Sequence, residues 1–160
     1  MALDVLLDST YLLPSFGLEV ERLSDRDLEA LRDAWSRGLV SFYCLSVSWV
    51  EVIGSVCREA DRLGVRLDRL IEVAVRSLLE SGMYTWVDPT PEAVELAFEL
   101  RLAGHRDVID NLLYATSVAR GMIFLTMDET LRGFLSDRGF RVDNLMDHGD
   151  LLEMLGVPRK

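Results

Sequence analysis

What the chain lacks narrows the field first. No apolar run is long enough to cross a bilayer, which takes about 20 residues. The opening Met-Ala-Leu-Asp-Val-Leu-Leu-Asp has an acid at its fourth position and no basic n-region. It therefore reads as a first strand rather than a signal peptide. Cysteine is scarce: Cys44 and Cys57 form neither a CxxC nor a zinc spacing. Both lie in apolar surroundings and read as core thiols of a cytoplasmic protein. The two histidines, His105 and His148, stand alone in loops, where surface or capping roles are expected. Neither a GxGxxG nor a Walker spacing occurs, so Gly17, Gly104 and Gly121 read as turn and helix-stop glycines. Repeats, low-complexity segments and linkers are absent as well. Trp35, Trp49 and Trp86 have no interleaved basic residues, which makes core or interface their default. Positive charge is in deficit, with 17 Lys and Arg against 27 Asp and Glu, net −10. That excludes a broad basic face for gripping nucleic acid. It leaves room for a small nuclease site, whose acidic metal ligands add to the negative count, and for a basic peptide partner.

What is present describes one α/β domain. At 160 residues with 49% hydrophobic content, the chain can build a single core. Strands are expected at 5–7, 39–45, 83–87 and 122–125, with an edge strand at 141–145. Pro14 limits any helix over 11–16. Ser24 caps a helix over 25–36, with Asp27 as its acidic partner. Ser46 is expected to cap a helix running to about 63, buried through Val47, Val50, Ile53, Gly54 and Cys57. A helix over 67–79 follows. Thr90 and Pro91 start one that reaches Ala103. Asp107 caps another that stops at Gly121, and short helices at 129–138 and 151–155 complete the chain. Alternating strands and helices predict an α/β fold with a mostly parallel sheet.

Four acids recur at matching places in this pattern. Asp8 follows the first strand and Asp128 the fourth. Glu51 and Asp110 lie in the first turns of helices. Right-handed connections bring those helix starts and strand ends to one edge of the sheet. Two like charges about 4 Å apart cost about 4 kcal/mol at an effective dielectric near 20. A divalent cation is the simplest relief, and all-oxygen ligation suits Mg²⁺ or Mn²⁺.

Asp8-Ser9-Thr10, Ser46-x-x-x-x-Glu51, Asp110-Asn-Leu-Leu-Tyr-Ala-Thr-Ser-Val-Ala-Arg-Gly and Leu125-Thr126-x-Asp128 together resemble the PIN-domain family. Within it, the chain is most similar to VapC-like toxin ribonucleases. The likeness runs in order along nearly the whole chain. It implies a three-layer α/β/α sandwich in a single domain over 1–160, and Mg²⁺- or Mn²⁺-dependent cleavage of RNA. Asp8, Glu51, Asp110 and Asp128 would then be the catalytic, metal-binding acids, with Thr126 and Ser9 or Thr10 assisting. It also implies a VapB-like antitoxin partner. Two features depart from the pattern: Glu129 occupies the segment after the last acid, and residues 64–82 form a helical insertion.

Each acid also admits a plainer role. Asp110 offsets a helix dipole, Glu51 pairs with Arg58, Asp8 and Asp128 satisfy turn amides, and Thr126 caps a strand end. Asp107 is assigned to capping, and Asp4 is expected before the first strand, in solvent. The competing functions are a nuclease or phosphatase with a non-RNA substrate and a silent module binding a basic peptide at the acidic edge. No membrane association is expected. A homodimer is expected, to cover apolar surface on the early helices and the insertion.

Overall fold

The computed structural model describes residues 1–159. Its elements run β1 (Leu3–Leu7), a 3-10 helix (Ser9–Phe16), α1 (Asp25–Ser36), β2 (Val40–Leu45), α2 (Ser48–Leu63), α3 (Asp68–Glu80), β3 (Tyr84–Val87), α4 (Pro91–Leu102), α5 (Val108–Arg120), β4 (Ile123–Leu125), α6 (Glu129–Asp137), β5 (Leu145–Met146) and α7 (His148–Leu155). All pairings are parallel, in the order β3-β2-β1-β4-β5. The expected α/β/α sandwich is therefore what the chain forms, with a sheet parallel throughout.

Strand periodicity divides the core. Val5 and Leu7 of β1 join one cluster with α1, Val52 and Val56 of α2, and Ala74 and Leu78 of α3. Leu6, between them, joins the other cluster with Leu100, Leu113, Tyr114, Phe124 and Leu131. Successive strand side chains point to opposite faces, so one strand feeds two layers. α1, α2, α3 and α7 cover one face, and α4, α5 and α6 the other. The strand order reverses direction between β1 and β4. In open α/β sheets that switch point opens a crevice at the carboxyl ends of the strands.

Several expectations are corrected. Ser46 does not cap α2; its hydroxyl donates to Asp88 Oδ1, and the helix begins at Ser48. The buried face of α2 is Ser48, Val52 and Val56. Val50 and Ile53 are 68% and 59% exposed. The hydropathy stripe misled because Ser48, a polar residue, holds a core position, and because Trp49 turns aside to stack on Trp86 with ring centroids 4.9 Å apart. Cys57 consequently lies exposed, and only Cys44 is a core thiol. The edge strand is two residues, Leu145–Met146, because the chain before it is spent on irregular backbone and a turn at 143–144. Leu145 N–H donates to Val142 O, and Asn144 Nδ2 donates to Ser117 Oγ and Met122 O. Asp4 lies within β1, although exposed.

His148 is buried rather than in a loop. Its Nδ1 lies 3.0 Å from Tyr11 Oη, and its Nε2 lies 3.4 Å from Asp27 Oδ2. The α7 helix is thereby tied to α1 and to the 3-10 helix that follows β1. Asp27 is the hub: it accepts from Ser24 N–H and Oγ, and Arg159 Nη1 reaches its other oxygen at 3.4 Å. Burial works against its charge, but these partners outweigh burial and hold the carboxyl below its ordinary value. Asp27→Ala should cost about 2–4 kcal/mol, the sum of a lost helix cap and stranded buried partners. The exposed Asp33→Ala should stay within about 0.5 kcal/mol. Urea denaturation of both variants checks this, and equal losses would refute the assignment.

Candidate active site

Three carboxylates converge at the carboxyl edge of the sheet. Asp8, Glu51 and Asp110 each place an oxygen so that all three atoms lie within 4.8 Å of one another. They arrive from all three layers: Asp8 from the end of the central strand, Glu51 from α2 and Asp110 from α5.

Local chemistry fixes each one. Asp8 is 7% exposed. Its backbone N–H donates to Leu125 O at 3.0 Å, continuing the β1–β4 ladder for one more residue. Thr126 Oγ1 donates to its Oδ2 at 2.7 Å. Ser9 Oγ donates to Glu51 Oε2 and lies 3.4 Å from Asp8 Oδ1, so one hydroxyl stands between two acids. The plainer alternative for Glu51, a pair with Arg58, does not form; Arg58 donates to Ser55 instead. Asp107 Oδ1 accepts the Asp110 N–H at 3.0 Å, the capping role read from the sequence. That cap holds the first turn of α5, and Asp110 with it.

Asp128 stands at the same cavity but is placed differently. It is the N-cap of α6, and its Oδ1 accepts the Leu131 N–H at 2.9 Å. One of its oxygens is thus spent on the helix. Its own N–H donates to Thr126 Oγ1, so Thr126 links Asp128 to Asp8. The shared cavity is lined by Asp8, Glu51, Asp107, Asp110 and Asp128 among others.

The electrostatics follow from crowding. Burial pushes Asp8 up to about 6, against the Thr126 hydrogen bond and with the help of Glu51 and Asp128. Burial and then the charges of Asp8, Asp107, Glu51 and Asp128 push Asp110 up to about 8. Glu51 is raised too, by burial, partly offset by Ser9. A donor set of three converging carboxylate oxygens, with proton affinities raised by burial and by neighbouring acids, fits a hard divalent cation. Among the described residues neither histidine joins this cluster. A larger groove beneath Tyr11 and Asp27 is lined by none of these acids.

These shifts set a pH dependence. The folded chain keeps the Asp8 and Asp110 protons up to about 6 and 8, whereas an unfolded aspartate loses its proton near 3.8. Between those values the folded state binds more protons, so stability falls as pH rises. Asp27 has the opposite sign, but its contribution is lost only below the ordinary carboxylate range. The metal-free protein should therefore melt at a lower temperature at about pH 8.5 than at about pH 6. Asp110→Asn should flatten that decline, and Mn²⁺ should reverse it most strongly at the higher pH. Thermal scans with EDTA and with Mn²⁺ check this. A metal-free melting temperature that climbs over that interval would refute it.

The chain was compared with known proteins. The family model for the PIN domain matches residues 5–134. No curated protein matches. Among solved structures, one described as a toxin-antitoxin complex from Klebsiella pneumoniae aligns with a TM-score of 0.56 at 12% identity, covering 90% of this chain and 97% of its own. The crystal structure of PAE2754 from Pyrobaculum aerophilum aligns with a TM-score of 0.62 at 16% identity, covering 98% of this chain and 91% of its own. At these identities the two structures speak to the fold. The family match spans most of the chain, including all four acids at the sheet edge: this chain belongs to the PIN-domain family, whose members are typically metal-dependent nucleases.

Proposed function

We propose that the chain is an endoribonuclease that cleaves RNA phosphodiester bonds with Mg²⁺ or Mn²⁺, and that it is the toxin of a VapBC-type pair. The observation that carries the reading is the meeting of Asp8, Glu51 and Asp110 oxygens within 4.8 Å at the switch point of the sheet. A divalent cation bound there would acidify a water and offset charge on the reacting phosphate. Asp8, Glu51 and Asp110 would hold it. Thr126 donates to Asp8 and Ser9 to Glu51, which holds these two acids where they converge. Asp128 contributes its free oxygen from an outer position. One of the carboxylates accepts the proton that the attacking water gives up. The Klebsiella pneumoniae neighbour, a toxin-antitoxin complex, supports an antitoxin partner. Exposed Val50 and Ile53 on α2 and Val94, Phe98 and Leu102 on α4 support apolar contacts with a second copy or with that antitoxin.

Incubation of the protein with single-stranded RNA and Mg²⁺ or Mn²⁺ tests the activity. Asp8→Asn and Asp110→Asn should each lower cleavage by about 100-fold or more. Asp128→Asn should cost less, since asparagine caps a helix as well as aspartate does and only one oxygen faces the cavity. Cleavage by Asp8→Asn equal to that of the parent would mark a contaminant and sink the reading. Parallel assays on DNA and on a small phosphate ester separate a ribonuclease from a broader hydrolase. Light scattering that shows only a monomer would remove the homodimer.

A further inference from the structure

The acidic cavity carries a second set of groups that metal binding does not use. Among the described residues lining it, only Arg22 and Arg58 are cationic. A cation amid several carboxylates is expected to pair with one of them. Arg58 does not: it takes part in none of the ion pairs among the described residues. Its polar partner is Ser55 Oγ, at 3.3 Å.

The helix explains where its charge lies. Arg58 follows Glu51 by seven residues, two turns on, on the same face. Helical side chains lean toward the N-terminus, so the guanidinium falls back over the preceding turn. There it lies against Gly54, where an added Cβ would stand 3.4 Å from Nη1. The charge therefore lies about one turn, or about 5 Å along the axis, from Glu51. Gly54 has no side chain to lift the guanidinium off the cavity wall.

Arg22 reaches the cavity from a different element. The Val20–Leu23 bridge closes a tight turn in which Arg22 has φ +68°. That conformation favours glycine, yet a long cationic side chain stands there. Its Nη2 lies 3.3 Å from Asp147 Oδ2 in an exposed pair, which solvent weakens and a phosphate can displace.

We propose that Arg58 and Arg22 bind the backbone phosphates flanking the scissile one, and so hold a single strand of RNA across the acids. The proposal rests on the ribonuclease reading. It resolves a difficulty in that reading, since a chain of net charge −10 with an acidic centre repels a polyanion. Two guanidinium forks beside the centre supply local attraction without a basic face.

Binding of a short single-stranded RNA, without cleavage, is the test. The full chain carrying Asp8→Asn is titrated with the oligonucleotide over a range of salt concentrations. Adding Arg58→Ala should weaken binding severalfold and reduce the slope of log K against log salt by about 0.7, the value for one lost phosphate contact. Arg58→Lys should keep most of the slope. Arg22→Gly should lose affinity and slope alike, while its melting temperature stays level or rises, because glycine suits that turn. Arg62→Ala, on the same helix but outside the cavity and paired with Glu59, should change nothing. In the otherwise native chain with Mn²⁺, Arg58→Ala should raise KM and leave kcat nearly unchanged. Unchanged affinity and slope in Arg58→Ala and Arg22→Gly, with the parent binding RNA and the native chain cleaving it, overturn this proposal alone. A native chain that cleaves no more RNA than Asp8→Asn overturns the ribonuclease reading and this proposal with it.

Discussion

Like charge held at short range is the constraint around which this molecule is arranged. Asp8, Glu51 and Asp110 come from segments far apart in sequence, and nothing in their mutual interaction favours the meeting. The sheet imposes it. Asp8 is fixed by the last rung of the β1–β4 ladder, and the two helices that deliver Glu51 and Asp110 start from opposite faces. Burial of apolar side chains in two clusters supplies the free energy that the acids consume. The resulting site is poised for a counter-charge, and the raised proton affinities of Asp8 and Asp110 measure that need.

A comparison of the two most buried carboxylates shows how the fold distinguishes a structural acid from a site acid. Asp27 is given donors on both oxygens: Ser24 twice, Arg159, and His148 nearby. Its charge is satisfied and its proton affinity is low. Asp8 is given one firm side-chain donor, Thr126, and two like charges. The two carboxyls are equally screened from solvent at their surfaces, yet Asp8 is raised by its deeper burial and its like-charged neighbours, whereas the donors around Asp27 outweigh its burial. Asp128 lies between these cases, half committed to the α6 cap.

Much of this was legible in the residues. Strand ends and helix starts carry strong local signals, which is why Asp8, Glu51, Asp110 and Asp128 could be assigned to the same edge, and Asp107 to the α5 cap, from periodicity and caps. Less legible was anything decided by which way a helix turns. α2 has apolar residues on two faces, and the choice between them rests on Ser48 being buried and on the Trp49–Trp86 stack, neither of which hydropathy reports. Cys57 was misread for the same reason. The Asp27–His148–Tyr11 tie joins residues more than a hundred positions apart, and a lone histidine gives no local sign of its partner. Residues 141–145 were read as a strand because β-propensity cannot see the Leu145 N–H closing a turn on Val142, nor the Asn144 side chain tied to Ser117 and Met122.

The tie between α7 and the 3-10 helix has a consequence for how the chain is made. Tyr11, in the 3-10 helix, leaves the ribosome 137 residues before His148. Asp110 and Leu125, the β4 partner of Asp8, also emerge more than a hundred residues after it. A nascent chain therefore cannot gather its acids before Asp110 emerges, and the turn behind Asp8 goes without its brace until His148 follows. Vectorial synthesis thus keeps the acidic centre apart until α5 has been made, and a divalent cation meets no complete set of ligands before then.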